Sequence, residues 1–341
     1  MKILFIADQI YPELGGSYKA ITETYKAMSS KYTNCKFRLA INYNGKNYNK
    51  LDLLFLIKNF DIIHYYGGWS FFHIKVLLLS FILKKKTIIT PMGIYEDWSL
   101  KQKKLKKYMA LIFYQSFILN KTDTIHCASA LEKKNLQKIT KNKNLQIIPH
   151  GIDPLESYEA NKKFFLGTKK KALFFSRLHD KKGIIELVEA WKNIENTEWE
   201  LHIYGPDYDN VTKKIEKISN SNKSIKIFDA VFDDKKKIYE GYDLFILPSK
   251  SENFGYVILE ALQFGLPVLT TSNTPWSIIE KKDAGWIIDS NLIQLESKIQ
   301  EILSLTKYEF EKRSINAVKL SKEYVWSNLE EQQFEMYKKL Y

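Results

Sequence analysis

Short apolar runs alternate with longer mixed segments along the first half of the chain. Continuous apolar runs are typical of strands buried on both faces of a sheet, and the segments 18–30, 51–59 and 100–119 have amphipathic or mixed, helical character. This alternation predicts a parallel sheet with helices on both faces. The predicted strands are Lys2–Ala7, Phe37–Ile41, Ile62–Tyr66, Thr87–Thr90, Thr124–Cys127 and Gln146–Ile148.

The same alternation restarts after a linker. The segment His150-Gly-Ile-Asp-Pro154 interrupts the pattern with Gly and Pro, and polar residues continue to Lys171. We therefore expect domains at 1–157 and 158–323, both α/β and doubly wound, with a C-terminal helix in 324–341 that packs back on the first domain. The second domain's predicted strands are Ala172–Ser176, Glu200–Tyr204, Ile225–Phe228, Leu244–Leu247, Pro267–Thr270 and Gly285–Ile288.

Sheets of this class bind ligands at the carboxyl ends of their strands, so the loops that follow strands hold the candidate chemistry. Gly15 and Gly16 follow the first strand and precede a helix. Glycines let a ligand approach the backbone, and a helix N-terminus offers N–H groups to an anion. A plain strand-to-helix turn explains the pair equally well.

Two cations lie on the loop after the first strand of the second domain. Arg177 is one of only three arginines in the chain, and Lys182 follows five residues later. Arg offers a planar fork of N–H donors and Lys a compact charge, so together they suit a diphosphate. A solvated basic turn is the alternative.

Two glutamates eight residues apart follow another strand of the second domain. Glu252 precedes the predicted helix and can accept hydrogen bonds from a polyol, whereas Glu260 lies inside the helix and can hold a ribose diol. The first helical N–H groups, near 254–257, suit a phosphate. Alternatively, Glu252 complements the helix dipole and Glu260 is a surface residue.

Taken together, these motifs resemble those of retaining glycosyltransferases of family 4, which have the two-domain GT-B fold. The resemblance runs nearly end to end and is closest to bacterial lipopolysaccharide, O-antigen and capsule members. It implies two Rossmann-like domains facing each other across a cleft, the first binding the acceptor and the second a nucleotide-sugar donor. The matching segments are Gly15-Gly16, Ser176-Arg-Leu178, Lys182-Gly183, Tyr204-Gly-Pro-Asp207, Glu252–Glu260, Leu262–Val268, Pro91-Met-Gly93, Trp98–Lys104 and Thr274-Pro-Trp276.

The resemblance also implies the roles of these residues. Arg177 and Lys182 neutralise the donor diphosphate and stabilise its charge as the sugar leaves, while Glu252 holds sugar hydroxyls and Glu260 the ribose. Retention is expected through same-face attack, with the leaving phosphate taking the acceptor's proton and no side-chain base. Gly16 admits the diphosphate from the first domain. Other expected donor contacts are Gly15, Tyr204, Gly205, Asn253, Phe254, Gly255, Tyr256, Val257 and the loop 229–232.

Neither a cofactor nor a metal is expected, because two cations at the diphosphate make a metal unnecessary. Asp207-Tyr-Asp209 matches the D-x-D metal motif of the other main glycosyltransferase fold, but its place after Gly205-Pro206 argues against that role. At Met92 the chain departs from the family, where many members carry His and the polysaccharide subgroup often Arg. His64 and His126 are the better histidine candidates, although a structural role is expected for each.

The net charge of +13 lies entirely in the first half, where residues 1–157 carry 24 Lys or Arg against 11 Asp or Glu. One half should therefore face an anionic partner. Lys103, Lys104, Lys106 and Lys107 are predicted on one face of a helix, with Leu105, Tyr108, Met109 and Ile112 opposite. This pattern suits an anionic membrane or a lipid diphosphate. Alternatively, a solvated lysine face covers an apolar stripe packed on the core.

Three functions are compatible with these sequence features. The first is a hexosyltransferase extending a lipid-linked surface glycan, cytoplasmic and peripheral at the inner face of the membrane, since no apolar stretch is long enough to span a bilayer. The second keeps the donor chemistry but uses a soluble small molecule or glucan as acceptor. The third, a nucleic-acid-binding protein, is disfavoured because no known module or aromatic–basic interleaving is evident. Two cysteines provide no disulfide framework.

Overall fold

The computed structural model describes the chain except residues 13–14, 43–47, 49, 156–163, 166, 168, 196–197, 220–221 and 232–234. It divides into two compact units. Unit 1 comprises Met1–Asp153 and Tyr324–Tyr341, and unit 2 comprises Pro154–Glu323. The expected domain boundary at 157 lies outside the described residues.

Unit 1 contains a six-stranded parallel sheet with the order β2-β1-β3-β4-β5-β6. Its central strands are fully buried, which explains their nearly continuous apolar sequences. Each observed strand overlaps a predicted one. The strands are β1 (Lys2–Asp8), β2 (Lys36–Asn42), β3 (Ile62–Tyr66), β4 (Lys86–Thr90), β5 (Thr124–Cys127) and β6 (Leu145–Ile147).

Helices cover both faces of this sheet. Leu4 and Ile6 of β1 join one core cluster with α2, α3, α6 and α7, whereas Ile3 and Phe5 join a second cluster with α1 and α15. Alternate side chains of a strand point to opposite faces, so these clusters are two layers. The helices are α1 (Gly16–Lys31), α2 (Lys50–Lys58), α3 (Phe71–Ile82), α4 (Asp97–Lys101), α5 (Lys104–Ala110), α6 (Ser116–Lys121), α7 (Ala130–Gln137) and α15 (Trp326–Lys338).

The C-terminal helix α15 packs inside unit 1 against α1. Tyr32 and Phe334 stack with ring centroids 3.6 Å apart. At the first residue of the helix, the backbone N–H of Trp326 donates to the Ile152 carbonyl at 3.2 Å. The end of the chain therefore completes the core of the unit that the beginning of the chain builds.

Unit 2 also contains a six-stranded parallel sheet, with the order β12-β11-β10-β7-β8-β9. The chain first builds outward from β7 in one direction and then returns to the other side of β7 with β10. This topological switch lies between β7 and β10, where such sheets leave a crevice for ligands. The strands are β7 (Lys170–Phe175), β8 (Trp199–Tyr204), β9 (Ile225–Phe228), β10 (Leu244–Leu247), β11 (Val268–Thr271) and β12 (Gly285–Ile288).

The helices of unit 2 connect these strands and pack on their faces. Helix α8 packs against α9 and α13, and α11 packs against α14. The helices are α8 (Ile184–Asn193), α9 (Val211–Ser219), α10 (Lys235–Glu240), α11 (Tyr256–Gln263), α12 (Ile278–Lys281), α13 (Leu292–Leu303) and α14 (Lys307–Lys322).

The predicted helix 100–119 is wrong in one respect, because it is interrupted. Helix α4 ends at Lys101, and Lys103 adopts the left-handed conformation with φ +51° before α5 begins. A π-helical turn, Leu111–Gln115, then joins α5 to α6. The even 100° spacing used to place Lys103 with the other lysines therefore does not apply to it. In the described part of the chain, no helix has the length and apolarity needed to cross a membrane.

Candidate active site

The loop after β7, residues 176–183, is fixed on one side by the loop after β8. The Ser176 N–H donates to the Tyr204 carbonyl at 3.1 Å, and the Leu178 N–H donates to the Pro206 carbonyl at 2.9 Å. The two loops are in such close contact at Gly205 that a Cβ there would lie 1.7 Å from the Ser176 carbonyl oxygen. Only glycine fits at this position.

On its other side, this loop is fixed by the loop after β10. The Lys181 carbonyl accepts from the Lys250 N–H at 2.8 Å and from the Ser249 hydroxyl at 3.0 Å. The Lys250 ammonium pairs with Asp180 and Glu186, both at 2.7 Å. The loop that carries Arg177 and Lys182 is thus held at the topological switch by both neighbours.

An ion pair joins the two loops at the switch. Lys182 Nζ lies 2.5 Å from Glu252 Oε1, and these side chains are only 12% and 8% exposed. Although burial favours the neutral acid, the Lys182 and Lys181 cations outweigh it and hold the pKa of the Glu252 carboxyl below its ordinary value. Lys182 is predicted to bind the diphosphate and Glu252 to bind the sugar. The structure brings these two side chains together as a charged pair.

Arg177 is different from Lys182, because no carboxylate of the described residues lies within ion-pair distance of its guanidinium. Its charge acts on the same cluster. The pKa of His179 is lowered by burial and also by the Arg177 and Lys182 cations, against the opposing influence of Asp209. The loop thus carries two cations, of which Lys182 is neutralised by Glu252 and Arg177 is not neutralised by a carboxylate of the described residues.

The segment after Glu252 is held by Trp276. The Trp276 indole N–H donates to the Phe254 carbonyl at 2.5 Å, and the two rings lie 5.4 Å apart. Gly255, with φ +80°, then caps the N-terminus of α11. Phe254 and Tyr256 are buried, while Asn253 and Val257 are half-buried. This N-cap lies close to the ion pair, since a Cβ at Gly255 would be 3.7 Å from Glu252 Cγ.

Glu260 lies on α11 and is buried, not a surface residue. Its Oε2 accepts from the Tyr239 hydroxyl at 2.8 Å and lies 3.8 Å from Lys235 Nζ. Tyr239 is completely buried on α10. A tyrosine and a lysine thus fix the orientation of this carboxylate.

Tyr204, at the end of β8, stacks on Phe228 with ring centroids 4.6 Å apart and an interplanar angle of 7°. Its hydroxyl accepts from that of Tyr242 at 3.1 Å. Of the loop 229–232, residue 232 lies outside the described residues. The other donor contacts expected here follow β8 and β9, and of these Gly205 lies against the loop that carries Arg177.

In unit 1, Gly15 and Gly16 lie at the N-terminus of α1. Gly15 has φ +61° and donates its N–H to the Pro12 carbonyl at 2.9 Å. A Cβ at Gly15 would meet no atom within 4 Å. The backbone here is accessible from outside, while the adjacent residues 13–14 lie outside the described part of the chain.

The loop after β4 contains Met92, and Glu132 holds it in place. Met92 and Gly93 have φ +57° and +76°, and the Gly93 N–H donates to Glu132 Oε1 at 2.8 Å. The other carboxylate oxygen accepts from the Ala128 N–H at 2.8 Å. A buried glutamate of α7 therefore fixes the shape of this loop.

Two of the histidines at strand ends belong to a buried hydrogen-bonded chain. His64 contacts the Tyr337 hydroxyl at 2.9 Å and the Thr90 hydroxyl at 2.7 Å, and Thr90 also contacts His126 at 2.9 Å. Burial lowers the pKa of His126 to about 4 and, with His126, that of His150 to about 3. The chain ties β3, β4 and β5 to α15, which is a structural arrangement.

The described residues contain no group of three or more His, Cys, Asp or Glu side chains placed to hold a metal ion. In the D-x-D sequence, Asp207 accepts from the N–H groups of Val211 and Thr212 at 2.9 and 2.8 Å. Its two carboxylate oxygens are thus occupied at the N-terminus of α9.

Comparison with known families now decides the class of this chain. The model for "Glycosyl transferases group 1" matches residues 157–320, and the model for "Glycosyltransferase Family 4" matches residues 30–155. Together they span most of the sequence. The chain belongs to the family 4 glycosyltransferases. The resemblance predicted from the motifs is confirmed.

Curated relatives of this glycosyltransferase agree with the family. An uncharacterised 41.2 kDa protein in the cps region of Klebsiella pneumoniae is 25% identical over 301 residues, which covers 80% of this chain and 81% of the relative. The amylovoran biosynthesis glycosyltransferase AmsD of Erwinia amylovora is 25% identical over 226 residues, or 63% of this chain and 60% of the relative.

Solved structures establish the fold. Sucrose-phosphate synthase from Thermosynechococcus elongatus superposes with a TM-score of 0.79 at 15% identity, covering 100% of this chain and 99% of that one. Anabaena Alr3699/HepE, solved with UDP and glucose, gives 0.78 at 15% identity, covering 99% and 100%. The predicted fold, GT-B with two doubly wound domains, is confirmed.

Several residues around the glycosyltransferase site were not predicted from the sequence. Lys250 fixes the loop with Arg177, Trp276 fixes the segment at Phe254, and Tyr239 orients Glu260. Trp276 lies in the Thr274-Pro-Trp276 motif, so a role at this position could be detected from the sequence. No local pattern points to Tyr239, because its contact spans 21 residues of chain.

The basic segment also differs from the prediction. Lys103, Lys104 and Lys106 are exposed, but the Lys107 ammonium donates to the Ser99 carbonyl at 2.5 Å and to its hydroxyl at 3.1 Å. Lys107 thus points back to the protein and is removed from the expected anion-binding set. The apolar residues opposite them, among them Leu105, are exposed, which is contrary to the alternative interpretation that they pack on the core.

Proposed function

We propose that this glycosyltransferase moves a hexose-type sugar, with retention, from a nucleotide-diphosphate sugar to a growing lipid-linked surface glycan. The observation that carries the proposal is the buried Lys182–Glu252 pair beside Arg177, at the topological switch of unit 2. A sugar diphosphate places an anionic group next to a polyol. A cation adjacent to a carboxylate matches these two parts of one ligand.

In this proposal, Arg177 is the main ligand of the diphosphate. Its guanidinium has no carboxylate partner among the described residues, so an anion does not have to compete with an internal ion pair. Lys182 supplies a second charge, and Glu252 accepts hydrogen bonds from the sugar hydroxyls. As the bond between the sugar C1 and the phosphate oxygen breaks, negative charge grows on the diphosphate, and both cations stabilise it.

Retention requires that the acceptor hydroxyl attack C1 from the face that the diphosphate leaves. The acceptor oxygen forms the new bond to an oxocarbenium-like C1, and its proton passes to the departing phosphate oxygen. The products are the glycoside and the nucleoside diphosphate. This step requires no side-chain base, and we assign none. The remaining donor contacts in the proposal are Gly15, Gly16, Tyr204, Gly205, Asn253, Phe254, Gly255, Tyr256 and Val257.

Glu260 holds the ribose hydroxyls in this arrangement. Its carboxylate is already oriented by Tyr239 and follows Glu252 by eight residues in the chain. The donor is proposed to need no resident metal, because Arg177 and Lys182 provide the positive charge. The engagement of Asp207 by backbone N–H groups supports this view.

The acceptor side of the proposal rests on the excess positive charge of residues 1–157. A lipid-linked glycan carries an anionic diphosphate and is held at an anionic membrane, so both would attract this surface. The relative named for amylovoran biosynthesis supports a polysaccharide product. We place the enzyme at the inner face of the cytoplasmic membrane.

A thermal-shift screen over nucleotide sugars tests the donor assignment. At least one nucleotide-diphosphate sugar should raise the Tm of the enzyme, and incubation of that donor with a membrane extract should give labelled glycolipid with the donor's anomeric configuration. If no nucleotide sugar raises the Tm, the donor site is wrong. An inverted anomeric configuration would exclude the retaining mechanism alone.

A further inference from the structure

Exposed apolar side chains are concentrated on the connection between β4 and β5. The exposed positions recur at intervals of three or four residues through α5, the π-helical turn and α6, so they form one stripe along the segment. Leu105 is 75% exposed and Phe113 is 73% exposed. The stripe consists of Leu105, Tyr108, Met109, Ile112, Phe113 and Phe117.

This stripe is not the face with which the segment packs on its own sheet. Gln115, Ile118 and Leu119 are buried beneath it, and Leu111 and Tyr114 pack against the same core. The segment is therefore apolar on two sides. A helix on a solvated surface normally presents polar residues outward, so the outer stripe points to a partner.

Two neighbouring helices, α2 and α3, also expose apolar side chains. Helix α3 packs against both α2 and α6, and all three cover one face of the sheet. Unit 2, by contrast, has four exposed large apolar side chains among its described residues, at Tyr208, Ile293, Tyr308 and Ile315. The additional exposed residues of unit 1 on α2 and α3 are Leu51, Leu54, Phe55, Phe71, Leu78 and Ile82.

Positive charge borders the stripe. Residues 101–121 contain six lysines and no Asp or Glu. Lys103, Lys104 and Lys106 are exposed at the start of the segment, and no carboxylate of the described residues lies within ion-pair distance of them. An apolar face with a cationic border matches the hydrocarbon boundary of a bilayer and its anionic headgroups.

We propose that the stripe inserts into the headgroup–acyl boundary of an anionic phospholipid bilayer, with the exposed lysines on the headgroups. A second copy of the chain is a poorer occupant. A two-fold contact through the same face would set lysine clusters against each other without acidic residues of the segment to neutralise them. This inference rests on the proposed function, because an enzyme for a lipid-linked acceptor must work at a membrane.

Vesicle flotation with the full chain tests it. The vesicles are phosphatidylcholine alone or phosphatidylcholine with about 30 mol% phosphatidylglycerol. Wild type should bind the anionic vesicles, and Leu105→Ser/Ile112→Ser/Phe113→Ser should bind at least about 1,000-fold more weakly, since each of the three buried side chains contributes about tenfold or more. The matched control Ile293→Ser/Tyr308→Ser, also exposed but in unit 2, should bind like wild type.

A second variant tests the charges. Lys103→Ala/Lys104→Ala/Lys106→Ala should weaken binding to anionic vesicles by about 100-fold, at about 1 kcal/mol for each cation, which is about fivefold. The control Lys213→Ala/Lys214→Ala/Lys217→Ala, on the exposed face of α9, should have no comparable effect. Salt should weaken binding of the wild type only in part, because insertion remains.

Three results would overturn the inference. The first is that the serine variant binds vesicles as well as wild type does, and the second is that wild type does not bind them. The third is that wild type forms a dimer, does not bind vesicles, and loses the dimer in the serine variant. The nucleotide-sugar thermal shift, measured on the same proteins, separates this inference from the proposed function. A normal shift without vesicle binding removes the insertion and leaves the donor site intact.

Discussion

Lys182 Nζ and Glu252 Oε1 lie 2.5 Å apart, on two loops that meet at the topological switch of unit 2. Seventy residues separate them in the chain. The parallel order of β7 and β10 brings their loops together, and the N–H of Lys250 and hydroxyl of Ser249 fix the contact. The same two side chains that hold these loops together are therefore those proposed to bind the diphosphate and the sugar.

A double-mutant cycle tests this pairing. Lys182→Met or Glu252→Gln should each destabilise the protein by about 3 kcal/mol, because each leaves a buried partner without its counter-group. The double variant should lose at least about 1 kcal/mol less than the sum, measured by urea unfolding. The matched cycle Lys282–Glu323, a half-exposed pair at 3.0 Å, should give a coupling below about 1 kcal/mol. Additive losses at Lys182 and Glu252 would refute the pairing.

Tyr239→Phe should weaken nucleotide binding, because it removes a contact of Glu260. The variant removes the hydroxyl that donates to Glu260 at 2.8 Å, which is worth about 1 kcal/mol or a factor of about five in Kd. Calorimetry should also show a smaller preference for ribonucleotide over 2′-deoxyribonucleotide. Tyr337→Phe is the control, since that buried hydroxyl contacts His64 and Gln333 in unit 1. Equal nucleotide affinity in both variants would contradict the role of Tyr239.

Unit 1 should lose stability in acid. Because burial holds the pKa of His126 near 4 and that of His150 near 3, below an ordinary value of 6.5, the folded state binds fewer protons than the unfolded state in this range. The free energy of unfolding should therefore fall as the pH drops from about 6.5 towards 4, by up to about 1.4 kcal/mol per pH unit for each histidine. His126→Gln removes one titrating group, so the dependence of the unfolding free energy on pH, measured by urea unfolding, should become shallower by up to about 1.4 kcal/mol per pH unit. An unchanged slope would argue against a neutral His126.

Most of the fold could be predicted from the sequence, because strands buried on both faces leave nearly continuous apolar runs. All twelve observed strands overlap predicted ones. The break at Lys103 and the π-helical turn at Leu111 could not be predicted, since residues 101–107 consist mostly of good helix formers. Tertiary packing, including the bond from Lys107 to Ser99, overrides that propensity.

The site was predictable where its residues form local motifs and not where it depends on distant contacts. Glu252 and Glu260 are recognisable from their spacing, and Arg177 and Lys182 from their place after a strand. Apolar residues recur with the same helical period whether their face packs on the core or is exposed. Periodicity alone therefore did not reveal that Leu105 is exposed. The sequence could not indicate that a second apolar face lies beneath it.

We propose above all that the loop with Arg177 binds the donor diphosphate. The most direct test compares, by calorimetry, the diphosphate and monophosphate of the nucleoside whose sugar donor raises the Tm. Wild type should bind the diphosphate at least about tenfold more tightly, and Arg177→Ala should reduce that ratio to about threefold or less while its Tm is unchanged, because a charge-assisted pair is lost. Arg177→Lys should retain an intermediate ratio. The same ratio in wild type and Arg177→Ala would show that Arg177 does not bind the diphosphate.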